Sequence, residues 1–82
     1  MLVDDFVPFR LVVRDLLAPF PEFIVVGEAG DGDAAIQMAT FHLPHVIIMD
    51  ISMPRLGGIE ATRRIKQILP DTYVLACLQM IM

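Results

Sequence analysis

The sequence predicts an α/β fold in which one open parallel sheet carries helices on both faces. Short apolar stretches alternate along the chain with segments whose apolar residues recur at helical spacing. Glycine or proline separates most of these segments. The last two apolar stretches lack polar alternation, which is typical of strands buried on both faces. The predicted order is strand, helix, strand, helix, strand, helix, strand, with right-handed crossovers between parallel strands.

Composition limits the classes of protein that fit this chain. Its 82 residues form at most one domain. Although 56% of the residues are hydrophobic, no run approaches the roughly 20 apolar residues of a membrane span. The net charge of -4 argues against direct binding of nucleic acid. Asp4 and Asp5 stand where a secretory signal carries positive charge, so we expect a cytoplasmic protein.

Four stretches are predicted to be strands. Residues 1–3 precede the acidic pair Asp4 and Asp5, and residues 23–29 are rich in β-branched side chains. Residues 46–49 and 73–78 are fully apolar. The single cysteine, Cys77, lies in the last of these stretches, so we expect a buried structural thiol.

The first two predicted helices are marked by spacing and by their ends. Residues 8–18 begin at a proline and stop before another, and four apolar residues share one face: Phe9, Val12, Val13 and Leu16. Arg10 and Arg14 are expected on another side of this helix. The second helix covers residues 32–41, with Asp31 or Asp33 as its N-cap.

The third predicted helix covers residues 58–69. Its inner face is expected to carry Ile59, Thr62, Ile65 and Leu69, and its solvated face Glu60, Arg63, Arg64 and Lys66. Glu60 and Arg64 are four residues apart in the favourable order for an ion pair.

Three carboxylates fall at the carboxyl ends of predicted strands. Asp4 and Asp5 follow the first strand and Asp50 follows the third, at the edge where such sheets place their working residues. If the first and third strands are neighbours, these carboxylates converge and their like charges destabilise one another, and an all-oxygen site of this kind suits Mg2+. A carboxylate beside that metal can attack a phosphoryl group. Taken singly, each acid is an ordinary loop or surface residue; their combination favours a phosphorylatable pocket.

Four stretches together resemble the receiver domain of two-component response regulators. They are LVDDFVPFR at 2–10, VVGEAGDGDAAIQMA at 25–39, VIIMDISMPRLGGIEA at 46–61 and PDTYVL at 70–75. The second and fourth look most like receivers that precede a helix-turn-helix output domain. The resemblance implies a flavodoxin-like, doubly wound parallel sheet of strand order 2-1-3-4. It also implies a single partial receiver domain over residues 1–82, incomplete because the fourth helix, fifth strand and fifth helix are absent.

The resemblance assigns roles to individual residues. Asp50 is expected to be the phosphoacceptor, and Asp4 and Asp5 to hold Mg2+, with Asp5 the direct ligand and Ser52 adding its backbone carbonyl. A sensor histidine kinase or phosphotransfer protein would supply the phosphoryl group from a phosphohistidine. No enzymatic activity is expected beyond self-phosphorylation and dephosphorylation at Asp50. His42 and His45 are expected at the surface or at a helix end, without a catalytic role.

Two departures from the family pattern predict impaired switching. The Thr or Ser that ends the fourth strand in receivers is replaced by Leu78, or by Cys77 if the alignment shifts by one residue. The lysine of the fifth strand has no counterpart, and Lys66 is expected to face solvent on the third helix. Without these groups, phosphorylation of Asp50 should be slow.

Other functions remain as alternatives. A degenerate receiver fragment could act only as a dimerisation or interaction module, and the exposed edge of the fourth strand predicts a homo-oligomer, with a dimer favoured. A haloacid-dehalogenase-like phosphatase would need an aspartate two residues after Asp50, where this chain has Ser52. A dinucleotide-binding fold is disfavoured because no G-x-G-x-x-G follows the first strand.

Overall fold

A computed structural model describes residues 1–53 and 55–77 of the chain. Its elements, in chain order, are β1 (Leu2–Val3), α1 (Val7–Leu17), β2 (Glu28–Ala29), α2 (Gly32–His42), β3 (Val46–Asp50), α3 (Gly58–Ile68) and β4 (Tyr73–Cys77). The strands are parallel and lie in the order β2-β1-β3-β4. This confirms the predicted flavodoxin-like sheet and its strand order. Within the described ranges, no helix is both long and apolar enough to cross a membrane.

The main core lies between the sheet and the two helices α2 and α3. Val3 is in register with Ala29 on one side and with Met49 on the other, and partners in a parallel ladder point to the same face. This row packs with small and branched residues of the two helices: Ala35, Ala39, Ala61 and Ile65. The alanines allow both helices to approach the sheet closely.

Helix α1 lies on the other face of the sheet and is less deeply packed. Phe9 and Val13 line a cavity of only about 10 Å³ together with Leu2 and Ile48. The predicted apolar face of α1 is therefore only half right, because Val12 and Leu16 are 53% and 66% exposed. The helix is rotated so that Arg10 and Leu17 lie on its half-buried side.

The inner face of α3 also differs from its predicted form. Ile59 is 71% exposed, whereas Gly58, Ala61 and Ile65 are buried. Gly58 packs so tightly against the end of β3 that a Cβ atom there would collide with the carbonyl of Asp50. This close approach sets the rotation of α3 and turns the neighbouring Ile59 outward.

Strand β2 is much shorter than the predicted 23–29. Only Glu28 and Ala29 pair with β1, and the amide of Leu2 donates one further hydrogen bond to the carbonyl of Gly27. Because β1 has only two residues, it limits the length of the ladder that β2 can form. Phe23 and Ile24 consequently lie at the surface, at 54% and 77% exposure.

Two local predictions for the helices are confirmed. Asp31 is the N-cap of α2, where its Oδ1 accepts a hydrogen bond of 2.8 Å from the amide of Ala34. On the exposed side of α3, the carboxylate of Glu60 pairs with Arg64 at 3.2 Å and also with Arg63.

Candidate functional site

The three predicted acids converge at one edge of the sheet. Asp4 follows β1 and Asp50 ends β3, and these two strands are neighbours. Asp4, Asp5 and Asp50 each present a carboxylate oxygen within 4.8 Å of the others. Asp4 and Asp50 are only 2% and 4% exposed, whereas Asp5 is exposed to solvent. The cluster therefore has two buried carboxylates and an open side.

Each buried carboxylate is held by the backbone that follows it. Oδ1 of Asp4 accepts a hydrogen bond of 2.8 Å from the amide of Phe6, and Oδ1 of Asp50 accepts one of 3.1 Å from the amide of Ser52. Both bonds span two residues, so they fix the side chains at the start of their loops. Oδ2 of Asp4 is buried and has no hydrogen-bond partner among the described residues.

The acidic cluster brings three carboxylates together, and their mutual repulsion favours a bound cation. Burial raises the pKa of Asp4, and the negative charges of Asp50 and Asp5 raise this pKa further, against the lowering effect of the Phe6 amide. A buried carboxylate oxygen without a donor is costly when it is ionised. The oxygen donors present fit a hard cation such as Mg2+, which would supply the missing partner.

The loop after β3 is tied to the start of α2. Arg55 adopts a left-handed backbone with φ of 61°, and its guanidinium lies 2.8 Å from Oδ2 of Asp31. The amide of Gly32 donates to the carbonyl of Leu56, and a Cβ on Gly32 would collide with that carbonyl. Ser52 lies in the first part of this loop and is exposed, and the role of its carbonyl as a metal ligand stays a prediction.

The predicted replacement of the family hydroxyl can be located in part. Cys77 is in register with Asp50, and its carbonyl accepts a hydrogen bond of 2.9 Å from the amide of Ile51. The expectation that Cys77 is buried is wrong, because it is only partly buried at the carboxyl end of β4, which among the described strands pairs with β3 alone. Leu78 lies outside the described residues.

Lys66 and the two histidines lie away from the acidic cluster. Lys66 is exposed, and its Nζ donates to the carbonyls of Pro70 and Thr72 at 2.7 and 2.6 Å, just before β4 begins. Asp50 is at the opposite end of the sheet. His42 ends α2 and His45 is exposed just before β3, which confirms their predicted positions.

Arg10 is the residue near the site that sequence reasoning misplaced. It was expected on the side of α1 away from the apolar face, but its side chain is only 17% exposed. Its Nη1 donates to the carbonyl of Asp4 at 2.6 Å, and its Nε lies 3.0 Å from the carboxylate of Glu28. The available signal was the spacing of Phe9, Val13 and Leu17, which places Arg10 on the same side as these residues.

Three carboxylates meet at the carboxyl edge of a parallel sheet of order 2-1-3-4, which is the arrangement that the resemblance to receiver domains implied. Residues 1–79 match the family model described as the response regulator receiver domain. The chain belongs to the response regulator receiver family.

Similar proteins support this assignment. The transcriptional regulatory protein DegU of Brevibacillus brevis is 44% identical over 75 residues, which cover 92% of this chain and 32% of DegU. Protein-glutamate methylesterase/protein-glutamine glutaminase 4 of Geobacter metallireducens is 44% identical over 74 residues, or 90% of this chain and 21% of that protein.

Solved structures agree in fold. A two-component response regulator of the LuxR family from Aurantimonas sp. SI85-9A1 superposes with a TM-score of 0.90 at 36% identity, covering 99% of this chain and 58% of that one. The receiver domain of the response regulator NarL from Mycobacterium tuberculosis gives 0.88 at 34% identity, covering 99% and 65%. The chain thus spans a third or less of the two curated relatives above.

Proposed function

We propose that this receiver accepts a phosphoryl group at Asp50 in a Mg2+-dependent reaction. Asp4, Asp5 and Asp50 would hold the ion, together with the backbone carbonyl of Ser52. The observation that supports this most is the convergence of the three carboxylates within 4.8 Å around a buried oxygen of Asp4 that lacks a donor. Such a cluster gains stability from a cation and places Asp50 beside it.

The chemistry assigned to Asp50 is nucleophilic. Its carboxylate attacks the phosphorus of a phosphohistidine, the P–N bond breaks, and an aspartyl phosphate forms. When bound, Mg2+ offsets the negative charge of the phosphoryl oxygens and of the cluster. The amide of Ser52 holds Oδ1 of Asp50, which orients the carboxylate at the end of β3.

The phosphodonor in this proposal is a sensor histidine kinase or a phosphotransfer protein. The exposed Asp5 marks the open side of the cluster, where a donor can approach. Direct contact of this chain with nucleic acid is not part of the proposal, because its net charge is -4.

We also propose that phosphorylation is slow in this chain. Cys77 lies opposite Asp50 in the β3–β4 ladder and carries a thiol, which is a weak hydrogen-bond donor. The next residue, Leu78, offers no polar group. Lys66 lies at the other end of the sheet, so it cannot contact the phosphoryl oxygens. Fewer donors to the transferring group lower the rate by orders of magnitude.

Self-association is a second proposed property. Among the described strands, β4 pairs only with β3, and its Tyr73 and Leu75 are 72% and 56% exposed. An apolar strand with one free edge favours pairing with another chain. This supports a homo-oligomer formed through β4, in which the domain also serves as an interaction module.

Incubation with acetyl phosphate or phosphoramidate and Mg2+ tests the phosphoacceptor. Intact-mass spectrometry should show a phosphate adduct on the wild-type chain over hours and none on Asp50→Ala. Asp71→Ala is the matched control, since Asp71 is an exposed acid in the turn before β4. An equal adduct on Asp50→Ala, or none on the wild type with Mg2+ bound, would contradict the proposal.

A further inference from the structure

We infer that Arg10 is a positioning residue that holds the turn carrying Asp4 and Asp5 in its metal-binding geometry. This inference rests on the proposed function of the acidic cluster. It is carried by the contacts of one guanidinium that joins α1 to the carboxyl ends of β1 and β2.

The guanidinium of Arg10 reaches three groups. Its Nη1 donates to the carbonyl of Asp4 at 2.6 Å and to the carbonyl of Ala29 at 3.3 Å, and its Nε donates to Oε1 of Glu28 at 3.0 Å. The rigid fork of an arginine fixes these groups relative to one another, which a single ammonium group cannot do. These contacts of Arg10 therefore set where β1 ends and where the turn that carries Asp4 and Asp5 (the acidic turn) begins.

The bond to the Asp4 carbonyl acts directly on the turn. The same turn is closed on its other side by the amide of Phe6, which donates to Oδ1 of Asp4 at 2.8 Å. Asp5 lies between these two bonds and is exposed, so the backbone on either side sets the position of its carboxylate. Removing a group that orients metal-binding side chains in this way commonly weakens metal affinity by about 10- to 100-fold.

The positive charge of Arg10 is largely offset within its own network. The carboxylate of Glu28 lies between Arg10 and Arg14, at 3.0 and 2.6 Å from their Nε atoms. The hydrogen bond from Arg14 lowers the pKa of Glu28 most, and the charges of both arginines and the hydrogen bond from Arg10 lower it further. Glu28 therefore stays ionised beside Arg10. Removing the positive charge of Arg10 should favour Mg2+ binding slightly. Removing its hydrogen bonds should weaken Mg2+ binding more, because the acidic turn is then less well positioned.

Arg14 provides a matched control. Its Nε pairs with the other oxygen of Glu28, yet none of the hydrogen bonds found in residues 1–53 and 55–77 joins Arg14 to the acidic turn. Arg10→Met and Arg14→Met each remove one positive charge and one contact with Glu28, but only the first removes the contact with the Asp4 carbonyl. Arg10→Lys keeps the charge and can reach one carbonyl.

Two measurements on the full chain test the inference. The first is hydrogen exchange of the Phe6 amide by NMR without metal, and the second is the Mg2+ dissociation constant by isothermal titration calorimetry. Arg10→Met should speed exchange at Phe6 and raise the dissociation constant about tenfold. Arg14→Met should change either quantity less than about twofold, and Arg10→Lys should fall between, because it restores one hydrogen bond.

The outcomes separate this inference from the proposed function. Equal effects of Arg10→Met and Arg14→Met would overturn it, since the role would then be a general ion pair with Glu28. Tighter Mg2+ binding by Arg10→Met would also overturn it, because charge would outweigh geometry. If the wild type binds no Mg2+, the proposed function fails, and the exchange rates at Phe6 still decide whether Arg10 orders the turn.

Discussion

Replacement of Asp4 by asparagine should stabilise the metal-free protein. Asp4 is 2% exposed, its Oδ2 has no donor among the described residues, and its pKa is raised by burial and by the neighbouring acids. Asparagine keeps the acceptor for the Phe6 amide, removes the buried charge and adds an NH2 group that can donate to Asp50. The usual cost of a core substitution is therefore reversed at this position.

The magnitude follows from the spacing of the carboxylates. The carboxylate oxygens lie no more than 4.8 Å apart, so with an effective dielectric constant of about 20 each pair of full charges repels by at least about 3.5 kcal/mol. Screening by salt reduces this value, and because the pKa of Asp4 is raised the repulsion weakens further as the pH falls. We expect Asp4→Asn to raise the free energy of unfolding by about 1–2 kcal/mol near pH 7.

Urea unfolding followed by circular dichroism, in EDTA and in Mg2+, measures both parts of this prediction. In Mg2+ at about 100 times its dissociation constant the wild type should gain about 2.7 kcal/mol, and Asp4→Asn much less. As the pH falls toward about 4, the difference in free energy of unfolding between Asp4→Asn and the wild type in EDTA should shrink. The raised pKa of Asp4 means that the native wild type takes up a proton at a higher pH than the unfolded chain does.

Asp15→Asn is the control for net charge, since Asp15 is exposed on α1. It should change neither the stability in EDTA nor the gain in Mg2+ by more than about 0.5 kcal/mol. Asp4→Asn should not be less stable than the wild type in EDTA, nor keep the full gain in Mg2+; either result would contradict the destabilising effect of the buried Asp4 charge.

Three further predictions concern α3 and β4. In an NMR titration, the hydrogen bonds from Arg63 and Arg64 should lower the pKa of Glu60 from an ordinary 4.5 to about 2, and Arg63→Ala should raise this pKa. The stabilisation from the ionised Glu60 is present above pH 4.5 and is lost as the pH falls through about 2. An unshifted pKa of Glu60 would contradict the ion pairs. Ile65→Ala should cost about 2–4 kcal/mol in urea unfolding because Ile65 is 1% exposed, whereas Ile59→Ala should cost under about 0.5 kcal/mol; equal costs would contradict the rotation of α3. Sedimentation equilibrium at micromolar concentration should show an oligomer that Leu75→Lys dissociates, and a wild-type monomer would contradict pairing through β4.

The acidic cluster could be located from the strand pattern together with the resemblance to receiver domains. Apolar runs without polar alternation predicted parallel strands, and the carboxyl ends of such strands meet at one edge. Asp4 follows β1 and Asp50 ends β3, and the strand order 2-1-3-4 implied by the resemblance makes these two strands neighbours, so their proximity could be expected. The N-cap at Asp31 was accessible for a similar reason, since its bond to Ala34 is local.

The features that were missed depend on contacts between elements. The periodicity of α3 allowed Ile59 to point inward, but the approach of Gly58 to the Asp50 carbonyl rotates the helix. The length of β2 is limited by its partner β1, which its own β-branched residues do not reveal. Arg10 was predicted to be a solvated helix residue because its partners, the carbonyls of Asp4 and Ala29, are backbone groups, which residue types in the sequence do not identify.

The proposal that Asp50 accepts phosphate with the help of a cation held by the acidic cluster can be tested in one experiment. The most direct measurement is intact-mass spectrometry of the wild-type chain with phosphoramidate, in parallel samples containing Mg2+ or EDTA, beside Asp50→Ala in Mg2+. We expect an adduct that grows over hours only in the wild type with Mg2+. An adduct of equal yield in EDTA or in Asp50→Ala, or no adduct when calorimetry shows Mg2+ bound, would contradict it.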